Sequence, residues 1–299
     1  MFGEGIRGWE PLGAVEPTSL RAARGELRVA CALVQSAYRS AREVSPTPRL
    51  EAPIDEAGDG LECLVRERLL ASPSIAGGLR LGVCLAPFAL HLRDREGALT
   101  ASFPLAGKTL EQAIWWLQVG LVARLGELPA IQRPAGIEDP ILRGEPFLAR
   151  NAEALRELGC WLANAHRALL PVSAALPLAS APRFAIETGD LHSEVDLAPP
   201  ASEGAPPRRI RFGLRLGDAA HQEPYFYVIP TPRPLDATLT GLSGGGIWHF
   251  QGFFGAVAPA TRFLARAERD GQDKTLQRFL GSAVMASRQL LHSLDGRRA

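Results

Sequence analysis

The chain has 299 residues, is 46% hydrophobic and carries 33 Lys+Arg against 32 Asp+Glu, a formal charge of +1. Few apolar residues with high net charge would be needed for wholesale disorder, and a large positive excess for an electrostatic nucleic-acid binder; neither is present. The most apolar stretch, Ala168 to Pro182, is broken by Pro171 and Pro177 and falls short of the roughly 20 residues a bilayer requires, so neither a nucleic acid nor a membrane is expected as partner.

In chain order, the opening Met1–Gly13 carries Glu4, Arg7 and Glu10 without an apolar core, which speaks against a secretory signal and for a cytoplasmic protein. Leu20, Leu27, Ala30, Val34, Ala37 and Ala41 recur at three- and four-residue intervals and predict a helix over Thr18–Glu43, ended by Pro46 and Pro48. Short runs at Leu61–Arg66, Arg68–Ile75, Leu79–Leu85, Ala89–Arg93 and Leu99–Leu105, separated by turn residues, predict an antiparallel meander. Thr109 and Gln112 form a capping-box signature for a second helix carrying Ile114, Leu117, Leu121 and Leu125. Pro129 to Pro146 is too interrupted for regular structure and reads as the connection between halves 1–135 and 136–299.

A third helix is expected over Leu148–Leu170, strands over Arg183–Glu187, Asp190–Leu197, Arg208–Leu216, Tyr225–Ile229 and Ile247–Phe254, a short helix near Ala260–Arg269 and a closing helix over Asp273–Leu294. The fold class is therefore α+β. Both halves read helix, antiparallel strands, helix, and the opening helices agree at a constant offset: Leu27 with Leu155, Arg28 with Arg156, Ala37 with Ala165, Arg39 with Arg167. Lys108-Thr109-Leu110 likewise recurs as Lys274-Thr275-Leu276. These matches suggest an internal duplication. Cys31, Cys63, Cys84 and Cys160 are widely spaced in apolar stretches, a pattern of reduced, buried thiols.

The segment Leu70–Gly78, the strand ending His91-Leu92-Arg93, the stretch Phe184–Leu191 and the run Glu223-Pro224-Tyr225-Phe226-Tyr227-Val228 with Pro230 and Pro232 resemble the uncharacterised bacterial family catalogued as domain of unknown function 5996. The resemblance runs from about Leu20 to Leu294 and implies the architecture without implying an activity or cofactor. A Cys-Ser-Pro step that the family carries before the Phe184 strand has no counterpart here.

Two strings stand out chemically. In Asp190–Leu197, strand alternation puts Asp190, His192, Glu194 and Asp196 on one face. His192 and Glu194, with His221, Glu223 and His249, could hold a divalent metal or act as acid and base. The better supported reading is plainer: Arg209, Arg211 and Arg215 on one face of the next strand pair with that row as a salt ladder across a hairpin. The second string is Ser243-Gly244-Gly245-Gly246-Ile247-Trp248-His249-Phe250. Its glycines could expose amides to an anion or simply turn the chain, and no Walker or dinucleotide pattern accompanies them. Trp248 and His249 would face opposite sides of a strand, His249 being the candidate acid, base or ligand. Trp115, Trp116 and Trp161 fall on helices and are expected in cores. Tyr225–Tyr227 is apolar on both faces and is expected as a central strand. Together these residues suggest a small-molecule enzyme or ligand-binding protein with its pocket between the halves; the alternative is a noncatalytic accessory protein docking a partner through the arginine-bearing hairpin.

Overall fold

The computed structural model describes residues 8–44, 60–149, 152–198, 207–234 and 238–292. The chain divides into two compact units, one comprising Leu20–Gly159 with Phe184–Thr188 and the other Met1–Ser19, Cys160–Arg183 and Gly189–Ala299. The division falls after Gly159, inside a helix, and not in the Pro129–Pro146 stretch, which belongs wholly to the first of these units. That stretch is irregular apart from a 3-10 turn, Pro140–Arg143, capped by the Asp139 side chain.

In the Leu20–Gly159 unit, α1 spans Arg21–Val44, and its expected stripe of Leu27, Ala30, Val34, Ala37 and Ala41 is fully buried. Pro46 and Pro48 lie outside the described residues. Five strands follow, β1 (Glu62–Leu64), β2 (Leu69–Ala71), β3 (Arg80–Leu85), β4 (Phe88–Arg93) and β5 (Leu99–Pro104), paired in sequence order as the expected antiparallel meander. Helix α2 (Leu110–Leu125) starts at the Thr109–Gln112 capping box and stops at left-handed Gly126. One expectation fails on α2: Trp115 is 67% exposed, because the helix buries only the Leu110, Ala113, Leu117 and Leu121 stripe and Trp115 lies off it. Trp116 stacks on Phe103 of β5.

Helix α3 runs Ala152–Ala174, so it starts later than expected and continues three residues past Pro171. The second sheet has six strands ordered β10-β11-β9-β8-β7-β6, with β6 at Arg183–Ala185, β7 at Asp190–Ala198, β8 at Arg208–Arg215, β9 at Tyr225–Thr231, β10 at Ile247–His249 and β11 at Gly255–Pro259; β7 to β11 lie in the unit that includes Gly189–Ala299, and Phe184 and Ala185 of β6 fall in the other. The single strand expected over Ile247–Phe254 is thus only its first three residues; the chain turns and returns as β11, which inserts between β10 and β9. Helices α4 (Ala260–Asp270) and α5 (Gln272–His292) complete the unit. Phe226 of β9 meets Trp161 of α3 at 5.8 Å and Phe263 of α4 at 5.6 Å between ring centroids, so one face of the sheet is closed by helix. Burying such aromatics is worth about 1.5–3 kcal/mol each. Among the described residues, two antiparallel sheets with five α-helices make the chain α+β, and no helix there is long and apolar enough to cross a membrane.

Candidate functional site

Strand register decides what gathers on the other face of the six-stranded sheet. Asp190 of β7 lies opposite Arg215 of β8, which lies opposite Tyr225 of β9; one step along, His192, Gly213, Tyr227 and Val257 are aligned, and then Glu194, Arg211 and Ile229. The even-numbered row of β7 and the tyrosines of β9 therefore share one face, since side chains alternate along each strand.

The outer part of this row is the salt ladder. Arg211 Nη2 lies 2.8 Å from Glu194 Oε2, and Arg209 reaches Asp196 at 2.7 Å and Glu194 at 3.3 Å. All three pairs are solvated enough to contribute only about 0.2–1 kcal/mol each.

The inner part is different in kind. Asp190 is fully buried and accepts a hydrogen bond from the Tyr227 hydroxyl at 2.5 Å, with Arg215 Nη2 at 3.5 Å. Arg215 also donates to Asp218 Oδ2 at 3.0 Å and to the Tyr225 hydroxyl at 3.1 Å, while Tyr225 donates to Asp218 at 2.6 Å. The guanidinium lies 5.5 Å from the Tyr227 ring centre and 5.8 Å from that of Tyr225, within reach of a cation–π attraction. Burial and the Asp190 carboxylate both push the Tyr227 hydroxyl well above its ordinary pKa, and burial and Asp218 raise that of Tyr225, so both remain donors. Burial opposes ionisation of Asp218, but hydrogen bonds from Tyr225, Arg215 and the amides of Ala220 and His221 outweigh it and hold the carboxyl below the usual range.

Two histidines border this network. His221, in the β8–β9 connection, has its ring centre 4.8 Å from Tyr225 and 5.1 Å from His249 of β10, which packs on Phe253 at 4.5 Å. Burial first, and His249 second, depress the pKa of His221 below 6.5, so its ring is neutral at neutral pH. Its Nε2 is enclosed and has no hydrogen-bond partner. His249 Nε2 lies 2.6 Å from the Gln251 carbonyl, which can only accept, so Nε2 carries the proton and Nδ1 of a neutral ring is left as acceptor. The neutral ring of His221 can take up a proton, and His249 stands beside it.

The remaining candidates separate. His192 Nδ1 sits 3.3 Å from Asp190 Oδ1, and Glu194 is held by the two arginines. Among the described residues no three His, Cys, Asp or Glu side chains converge on a point that could hold a metal ion. Glu223 accepts from the amide and hydroxyl of Thr261 at 2.7 and 2.9 Å, satisfying the first turn of α4, whose preceding Pro259 offers no side-chain cap. Trp248 faces away from His249, stacks on Phe254 at 5.4 Å and donates to the Thr240 carbonyl. Reading the sequence alone misses Asp218 entirely; its signal is local, a carboxylate two and three residues before amides it caps, those of Ala220 and His221. No family model matches the chain, and no curated protein or solved structure matches it either.

Proposed function

We propose that the protein is a small-molecule enzyme or ligand-binding protein whose site is the Arg215–Tyr225–Asp218 network bordered by His221 and His249. The observation that carries this reading is the 5.1 Å approach of two histidines from separate segments, one with a neutral ring at physiological pH, beside a buried charged network. Perturbed titratable groups gathered in this way are a mark of functional sites. The docking alternative loses support, because the guanidiniums of Arg209 and Arg211 are already taken by Glu194 and Asp196. The test is a thermal-shift screen of wild type, His221→Ala and His249→Ala against metals and metabolites. A ligand of the folded state raises the wild-type melting temperature. A rise lost in both folded variants supports the site, and a rise retained in both overturns it.

The remaining readings rest on narrower support. The burial of Cys31, Cys63, Cys84 and Cys160 as thiols supports a reducing, cytoplasmic location. The family resemblance and the internal duplication are proposals too. The latter draws on two recurrences, a helix followed by an antiparallel meander and another helix, with β10 as the departure from the pattern. Failure of α1–α2 to superpose on α3–α5 in an experimental structure would remove it.

A further inference from the structure

The glycine string ahead of β10 forms a tight turn, closed by a hydrogen bond from the Gly246 amide to the Ser243 carbonyl at 3.1 Å. Both central residues have positive φ, +64° at Gly244 and +80° at Gly245, the left-handed region in which a side chain is strained. The turn is seated directly on α5. A Cβ on Gly244 would overlap the Thr275 carbonyl oxygen and stand 2.8 Å from the Phe279 amide, and one on Gly246 would stand 2.6 Å from the Phe279 ring. Ser282 Oγ anchors the same turn by accepting from the Ser243 amide at 3.0 Å.

This seating creates a cavity of about 650 Å³, bounded by Leu242, the turn, Arg262 and Arg266 of α4 and Arg278 of α5. Arg262 and Arg266 are four residues apart and so project from the same side of α4. Three arginines thus border one cavity. Like charges gathered around a concave space raise its potential and concentrate anions within it.

We propose that the Ser243–Gly246 turn with Arg262, Arg266 and Arg278 binds the phosphate group of a small phosphorylated molecule. The planar fork of arginine matches phosphate oxygens two at a time, and three forks suit a dianion with three terminal oxygens better than a carboxylate with two. The missing Cβ atoms of Gly244 and Gly246 face α5, so the glycines' part is to seat the turn on that helix as one wall of the cavity. The cavity is larger than phosphate alone needs and falls within the about 300–1,000 Å³ typical of small-molecule sites, so the rest of the ligand is accommodated beside Leu242. No part of this site belongs to the His221–His249 cluster, so the two proposals stand separately.

The test is isothermal titration and thermal shift of the full chain with inorganic phosphate and pyrophosphate at low salt, against ionic-strength-matched acetate. Saturable binding of phosphate or pyrophosphate is expected, weaker for acetate and weakened by added chloride as screening requires. Arg262→Gln/Arg278→Gln weakens it at least tenfold while His249→Ala binds like wild type. Both arginines are exposed, so these changes leave the fold intact, which circular dichroism verifies. Absence of saturable binding at millimolar phosphate and pyrophosphate overturns the proposal, as does undiminished binding by the double variant. Co-sedimentation with anionic vesicles without a response to either soluble anion overturns it as well.

Discussion

Replacing Tyr227 by phenylalanine removes one oxygen atom from the most enclosed polar contact on the sheet face and changes little else. Tyr227 and Asp190 are both fully buried, and the hydroxyl donates to Asp190 Oδ2 at 2.5 Å. Without it, the carboxylate keeps Arg215 at 3.5 Å but loses its shortest donor, and water cannot readily take the vacated place. A hydrogen bond to a charged group contributes about 1.5–3 kcal/mol, so Tyr227→Phe is expected to cost about 2 kcal/mol. Asp190→Asn removes the buried carboxylate but leaves Arg215 paired with Asp218 at 3.0 Å, so the expected cost is about 1–3 kcal/mol. Because the two substitutions remove the same contact, the double variant should be less destabilised than their sum by about 1–2 kcal/mol. Equilibrium urea denaturation measures all three, provided the slope of each transition matches wild type. A Tyr227→Phe variant within about 0.5 kcal/mol of wild type, the range of inconsequential surface changes, would refute the reasoning. Strict additivity in the double variant would refute it too.

Burial depresses His91, His166 and His221 below their unfolded value of 6.5, with Arg93, Arg167 and His249 respectively adding to the effect. The unfolded chain then binds protons more readily than the folded one, so stability is complete above pH 6.5 and falls as the pH drops through the folded values. His91→Asn should flatten that fall in urea midpoints between pH 7.5 and 5.5, taken as a difference from wild type so that Glu26, shifted upward by burial and of opposite sign, cancels; equal slopes would sink the idea. Gly244→Ala should lower the melting temperature more than Gly77→Ala. Both positions have positive φ, which costs about 1–3 kcal/mol for a side chain, but only at Gly244 does a Cβ also meet helix backbone, Gly77 having open space. Equal shifts in calorimetry would show that the turn can move off α5.

Features carried by neighbouring residues were legible in the sequence alone. The α1 stripe, the Thr109–Gln112 capping box, the β1–β5 meander and the alternation that opposes Glu194 and Asp196 to Arg211 and Arg209 all depend on periodicities and caps within a few residues. Tertiary structure decided the rest, because the deciding contacts are far apart along the chain. Strand β11 is Gly-Ala-Val-Ala-Pro, small residues without strong strand character, and becomes a strand only by pairing between β9 and β10. Asp190 and Asp196 belong to one alternating row, yet the first is fully buried and the second half exposed, because only Asp190 aligns with Arg215 and has the Tyr227 hydroxyl within reach. Trp115 was expected in a core by its residue type, and its place off the buried stripe of α2 puts it outside. Likewise, the glycine string is visible as a string, but nothing in its vicinity announces Arg262, Arg266 and Arg278. They reach it only because α4 and α5 fold back against the turn, a closeness set by how helices pack and not by the order of residues.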